Sequence, residues 1–375
     1  MPGVAKRKYV GESIRISKNV TKQLNNIMPT LKPGYTAKDI LNAYILYYPF
    51  EWKEITERQE LYKRKDEFLI KNGKKKRYNP QKAENFFYSL QKVKYVLSKG
   101  YRDKHASSYK EEDRLVYKQQ FEKKREVAIS KRMFKTNDNR KVLQEVDPGF
   151  IDALIYAYHR KNNSTNDKLE IVNEIKKYEC EKTTEFLWKL NDSEKNNEIR
   201  HLAFKHLQDT GHYVKLRKDF KGKKKSYMIE QSDFVGTPEA LAERLKNSRS
   251  VQNKKHYDLF ISHSYQNRDT VREIVKRANE VGMNCYLDWI ADDNFLKRSM
   301  VSEYTKEVLK FRMMRSDSLL YISSNKSRSS EWVAFELDFY ESQVKRPIYM
   351  ILLDGEDPHD FRIINTDNLK DIKTK

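Results

Sequence analysis

From residue 256 the sequence alternates short apolar runs with amphipathic stretches, and no other feature limits the fold so strongly. "YDLFIS" (257–262), "MNCYLD" (283–288), "SLLYIS" (318–323) and "PIYMILL" (347–353) each have the length and composition of a strand. Between them lie helical patterns. Val271, Ile274, Val275, Ala278 and Val281 mark a helix closed by Gly282, followed later by "MVSEYTKEVLKFRMM" and "SEWVAFELDFYESQ". Connectors this short predict a parallel sheet wrapped by helices, an α/β flavodoxin-like fold.

In sheets of this kind ligands bind beyond the carboxyl ends of the strands. That rule selects Ser262, His263 and Ser264 after the first strand, and Asp288 and Trp289 after the second. It also selects Ser323, Ser324 and Asn325 after the third, with Trp332 and Glu336 on the helix that follows. No strand is followed by GxGxxG or GxxxxGK[ST], which disfavours a dinucleotide-dependent dehydrogenase and a P-loop NTPase. No metal-ligand cluster is evident either. "SRSSEWVAFELDFYE" (327–341) sets Glu336 beside Trp332, Phe335 and Phe339. From spacing alone Glu336 is either a helix-surface glutamate bordering an apolar stripe or a carboxylate facing a ligand, and Trp332 fits the core as well as the crevice.

The first 250 residues read differently. "YTAKDILNAYILYYP" starts at a capping Thr36, "NPQKAENFFYSLQKVKYVLSKG" reads as one helix from Pro80 to Gly100, and "VDPGFIDALIYAYHR" opens with Asp147 and Pro148 as cap and first turn. A basic hairpin is predicted at 212–229, "HYVKLRKDFKGKKKSYMI", and "NGKKKRY" (72–78) echoes its lysine turn. The polar, aperiodic "NSRSVQNKK" (247–255) predicts a boundary between a mainly α-helical region, 1–250, and a C-terminal domain, 251–375. Charge divides at the same place. Residues 251–375 hold equal numbers of basic and acidic side chains, so the net charge of +21 belongs to the helical region. A field of that sign attracts polyanions such as nucleic acid. The 38% hydrophobic content supports folded chain, and a mean hydropathy of −0.91 points to a cytoplasmic protein rather than a membrane one. Cys180 and Cys285 suggest reduced thiols, and His201 and His206 are spaced wrongly for joint ligation on a helix.

"YDLFISHSYQNRDTVREIVKRANEVGMNCYLDW", "LKRS" and "RSDSLLYISSNKSRSSEWVAFEL", in this order, resemble a bacterial Toll/interleukin-1 receptor (TIR) domain over about residues 256–362. The loop "IADDNFLKRS" lacks the glycine-rich form usual in that family, and Asp338 stands where glycine is frequent. The resemblance implies cleavage of the nicotinamide–ribose bond of NAD+, with Glu336 as the catalytic carboxylate and NAD+ as substrate rather than cofactor. It places Phe260 and Ser262 to Ser264 at the nicotinamide and ribose end, leaves Trp289 between stacking and core, and gives Asp288 a site role or a capping one. Arg298 and Ser299 either hold phosphate or steady their loop. It further implies antiviral defence by NAD depletion and activation by self-association. Two other readings stay open: a non-catalytic TIR scaffold, and a nucleic-acid-binding protein acting through the basic region.

Overall fold

The computed structural model describes residues 4–214, 236–247, 250–293, 295–296 and 302–373. The predicted hairpin at 212–229, from residue 215 on, and Arg298 and Ser299 lie outside them. The chain forms two compact units, residues 1–138 with 208–217 and residues 139–207 with 218–375.

The first unit is helical: α1 (Val4–Ile27), α2 (Ala37–Tyr47), α3 (Pro49–Lys71), α4 (Ala83–Ser89), α5 (Gln91–Val96), α6 (Lys99–Ser107) and most of α7 (Glu111–Arg140). Its core gathers Val20, Leu24, Ile27, Ile40, Tyr44 and Phe87. Thr36 caps α2 as expected, in a reciprocal box with Asp39. The single helix expected over 80–100 is instead three. The backbone of Leu90 is extended (φ −67°, ψ 136°), Ser89 Oγ turns back to the Phe86 carbonyl 2.7 Å away, and Ser98 caps a fresh start. Apolar spacing survives such a break, because Phe86, Leu90 and Val93 still reach the core.

The second unit contains α8 (Ile151–Tyr158), α9 (Thr165–Ile175), α10 (Glu181–Ser193), most of α11 (Asn197–Asp209) and α12 (Pro238–Lys246) ahead of the sheet. Then come β1 (Tyr257–Ser262), α13 (Arg268–Glu280), β2 (Cys285–Tyr286), α14 (Asp288–Ala291), α15 (Glu303–Met314), β3 (Ser316–Ser323), α16 (Asn325–Arg328), α17 (Glu331–Phe339), β4 (Ile348–Leu352), β5 (Arg362–Ile363) and α18 (Lys370–Lys373). The compositional step at residue 250 thus falls inside this unit. Polar side chains bind the preceding helices to the sheet: the Gln144 amide donates to the Cys285 carbonyl (2.7 Å) and accepts from the Cys285 N–H (2.8 Å), and Lys255 pairs with Glu174. Asp147 does not cap α8, which starts at Ile151; it pairs with Lys182 at 3.0 Å.

The sheet is parallel throughout, in the order β2-β1-β3-β4-β5, the flavodoxin-like order, with Phe260 beside Leu319 and Leu319 beside Ile348. Strand alternation assigns the faces. Leu259, Ile261, Leu320 and Ile322 pack with the buried side of α13, while Phe260, Leu319, Tyr321 and Met350 pack with Val333, Leu337 and Tyr340. No described helix is long and apolar enough to cross a membrane.

Candidate active site

Ser262 ends β1 two residues after Phe260, so its side chain emerges on the same face as α17. There its hydroxyl donates to Glu336 Oε2 at 2.6 Å. The helix is fixed by Val333, Leu337 and Tyr340 against the sheet, while Phe335 and Phe339 stack on each other beneath Lys310 of α15. Glu336 lies between these two stripes, half-buried at the carboxyl end of β1. Burial pushes its carboxyl up to about 8; the Ser262 hydrogen bond opposes that rise and the Asp288 carboxylate adds to it.

The other wall is α14. Asp288, exposed, accepts the Trp289 N–H at 2.8 Å, and Trp289 Nε1–H donates to His263 Nε2 at 3.1 Å. An accepting Nε2 leaves the ring proton on Nδ1, which faces the Ile261 carbonyl at 3.1 Å, so the two contacts select one tautomer and fix the ring's orientation. The guanidiniums of Arg268 and Arg272 lie 4.7 and 5.2 Å from the Trp289 ring. Ser264 stands half-buried where the chain leaves β1.

The remaining candidates separate from this group. Phe260 is 1% exposed and stacks on Tyr286 with centroids 5.0 Å apart, which makes it a core residue under the site instead of part of its lining. Trp332 is half-buried, edge-on to Phe335 and packed against the same core. Ser323 is buried at the end of β3, donating to Asp357 and accepting from Arg328 at 2.8 Å. Ser324 Oγ–H reaches Asn267 Oδ1 at 2.8 Å, tying the loop after β3 to the loop after β1, and Asn325 bonds Asp354 through its N–H. These residues brace the floor between β1 and β3, where the strand order reverses. A cavity of about 480 Å³ belongs to the first unit, between Met28, Tyr101, His105, Tyr109, Arg114 and Tyr117, and shares no residue with the site.

Comparison with known proteins agrees with this architecture. The chain is 46% identical over 370 residues, 98% of its length and 96% of the relative's, to "Putative cyclic ADP-D-ribose synthase TIR2" of Cytobacillus dafuensis. Over 126 residues, 34% of this chain and 62% of the relative, it is 30% identical to "Probable 3' cyclic ADP-D-ribose synthase ThsB'" of Bacillus cereus (strain MSX-D12). No family model matches the chain, and no solved structure does. Near-full-length kinship with a TIR protein, on top of a flavodoxin-like sheet, means that the chain belongs to the bacterial TIR-domain family of NAD-cleaving enzymes.

Proposed function

We propose that this protein breaks the nicotinamide–ribose bond of NAD+ with Glu336 as the carboxylate at the ribose. The observation that carries the reading is the Ser262–Glu336 pair, a half-buried carboxyl raised to about 8 at the end of β1. Nicotinamide leaves with the bonding pair as a neutral molecule, so little acid help is needed. The demand is for negative charge near an oxocarbenium-like ribose and for hydrogen bonds to its hydroxyls that strengthen in the transition state. The cationic nicotinamide ring, entering beside Glu336, favours its ionised form, so binding releases a proton. After departure the carboxylate is matched to accept a proton from the incoming nucleophile at near-neutral pH.

That nucleophile decides the product. Water gives ADP-ribose; a hydroxyl of the same dinucleotide gives a cyclic ADP-ribose. The names of both relatives favour the cyclic outcome. Incubation with NAD+ and chromatographic separation of products tests both steps: absence of nicotinamide release would sink the reading, and linear ADP-ribose alone would restrict it to hydrolysis. The antiviral role and activation by self-association belong to the same reading, and activity that stays proportional to protein concentration across a range where molecular mass does not change would remove self-association.

Ser262→Ala should lower kcat/KM about tenfold at pH 7, roughly the loss of one hydrogen bond to a charged group, and shift the rising limb of the pH profile upward. A profile that keeps its midpoint would separate Ser262 from the chemistry.

One observation in the first unit favours a second binding function. Asp66, 3% exposed, accepts backbone N–H groups from Arg77 (2.8 Å), Tyr78 (3.0 Å) and Asn79 (2.7 Å). These donors hold its carboxyl below the usual range against the opposing effect of burial. The loop so pinned exposes Lys74, Lys75, Lys76 and Arg77, with Tyr78 against Tyr62 at 4.7 Å. A fixed backbone presents four cations with less ordering cost than a mobile one, which suits the phosphates of nucleic acid. Changing all four to glutamine should reduce the salt slope of nucleic-acid binding by about 3. An unchanged slope would return the loop to a solvated turn.

A further inference from the structure

Five charged side chains from separate stretches of the second unit meet out of water. Glu174 near the end of α9, Lys177 in the turn after it, Lys255 ahead of β1, Asp292 after α14 and Arg312 on α15 are between 0 and 7% exposed. Arg312 grips Asp292 through two nitrogens, at 2.8 and 2.9 Å, and also donates to the Gln252 carbonyl at 3.0 Å. Lys255 bridges Glu174 at 2.5 Å and Asp292 at 3.4 Å. Lys177 reaches Glu174 at 3.1 Å and Asp293 at 3.3 Å.

Both ammonium groups converge on one further atom. The carbonyl of Ala291, the last residue of α14, accepts from Lys177 at 2.7 Å and from Lys255 at 3.2 Å. The opposite end of that four-residue helix carries Asp288 and Trp289, the second of which holds His263 directly after Ser262. A continuous path therefore runs from α9 through Lys177, Ala291, Trp289 and His263 to the Ser262–Glu336 pair.

We propose that Lys177 is a positioning residue for NAD cleavage: by holding the Ala291 carbonyl and the Asp293 carboxylate it sets α14 as a wall of the site, which makes the helical segment before the sheet a working part of the catalytic unit. The proposal rests on the reading of Glu336 and its neighbours as the NAD site. Lys177 is the informative member because of the charge arrangement. Removing it leaves Lys255 and Arg312 against Glu174 and Asp292, two cations with two carboxylates that keep their mutual contacts, whereas removing Glu174 or Asp292 leaves three cations against one carboxylate, and removing Arg312 takes away the two-nitrogen grip on Asp292. Asp293, which is half exposed, can be hydrated when its partner is gone.

The test compares full-length wild type with Lys177→Met. Hydrogen exchange over residues 287–293 should accelerate about tenfold, with the amides of β1 and β3 unchanged. If the competent placement of α14 falls to about a tenth of the population, KM for NAD+ rises about tenfold while kcat changes little, because bound NAD+ reselects that placement. A general loss of folded protein would instead lower kcat at constant KM. Asp293→Asn, at the exposed end, should move both readouts in the same direction by about two- to threefold, and it carries the test if Lys177→Met does not fold. Unchanged exchange, or accelerated exchange with an unchanged KM, overturns the proposal. If wild type does not release nicotinamide, the reading of the site fails, and unchanged or faster exchange then decides the tether by itself.

Discussion

Replacing Glu336 by glutamine is expected to lower nicotinamide release by on the order of 1,000-fold, about 4 kcal/mol of transition-state stabilisation, without loss of the fold. Glutamine keeps an oxygen that accepts the Ser262 hydroxyl but cannot bear the charge that the ribose cation requires. The effect on stability has the opposite sign. A carboxyl raised to about 8 in the folded protein binds a proton more tightly there than in the unfolded chain, so its contribution falls as pH rises from the unfolded value near ~4.3 to about 8 and is constant above. Each pH unit in that window costs at most ~1.4 kcal/mol. The variant should therefore unfold no earlier than wild type at pH 8, and the difference should close towards pH 4. In wild type, kcat/KM should climb about tenfold per pH unit below 8 and level off above it. Nicotinamide release by Glu336→Gln within about tenfold of wild type would exclude Glu336 from the chemistry.

The parts of this fold that the sequence displays are those in which one residue type has one use. Four apolar runs in the last third could only be buried strands, and parallel order then set Ser262 and Glu336 at the same end of the sheet. The fifth strand, Arg362–Ile363, is two residues long and exposed, with no apolar run to mark it. The second strand shrinks to Cys285–Tyr286 because the chain turns at once into α14, and its outer edge is completed by the Gln144 side chain, which no pattern announces. The resemblance assigns Phe260 to the ligand, yet it sits two residues deeper in β1 than Ser262, on the same face, where it stacks on Tyr286 in the core. The buried charges were the least legible. Lys177, Lys255, Asp292 and Arg312 count as surface in any hydropathy pattern, and only their mutual pairing makes burial tolerable. For the same reason the compositional step at 250 marks a change in surface charge and not the edge of a packed unit.

A chain cut back to residues 251–375, the TIR domain by resemblance, is accordingly expected to fold poorly and to cleave NAD+ far less well than one beginning at 139. The cut removes Glu174, the buried partner of Lys255, together with Lys177, and leaves the Lys255, Asp292 and Arg312 cluster open on one side. Loss of one member of a buried pair costs ~3–5 kcal/mol, a large part of the ~5–15 kcal/mol that holds a domain together. The cut also strips the Gln144 amide from both backbone groups of Cys285, exposing the edge of β2 to pairing with other chains. It removes Phe150, whose ring meets Tyr257 edge-on at 6.1 Å. Thermal unfolding followed by circular dichroism should place residues 251–375 more than ~10 °C below residues 139–375, with association rising with concentration. Equal midpoints and equal KM for NAD+ in the two truncated chains would show that the helices before the sheet contribute neither stability nor site geometry, contrary to the polar contacts that join them to β2 and α14.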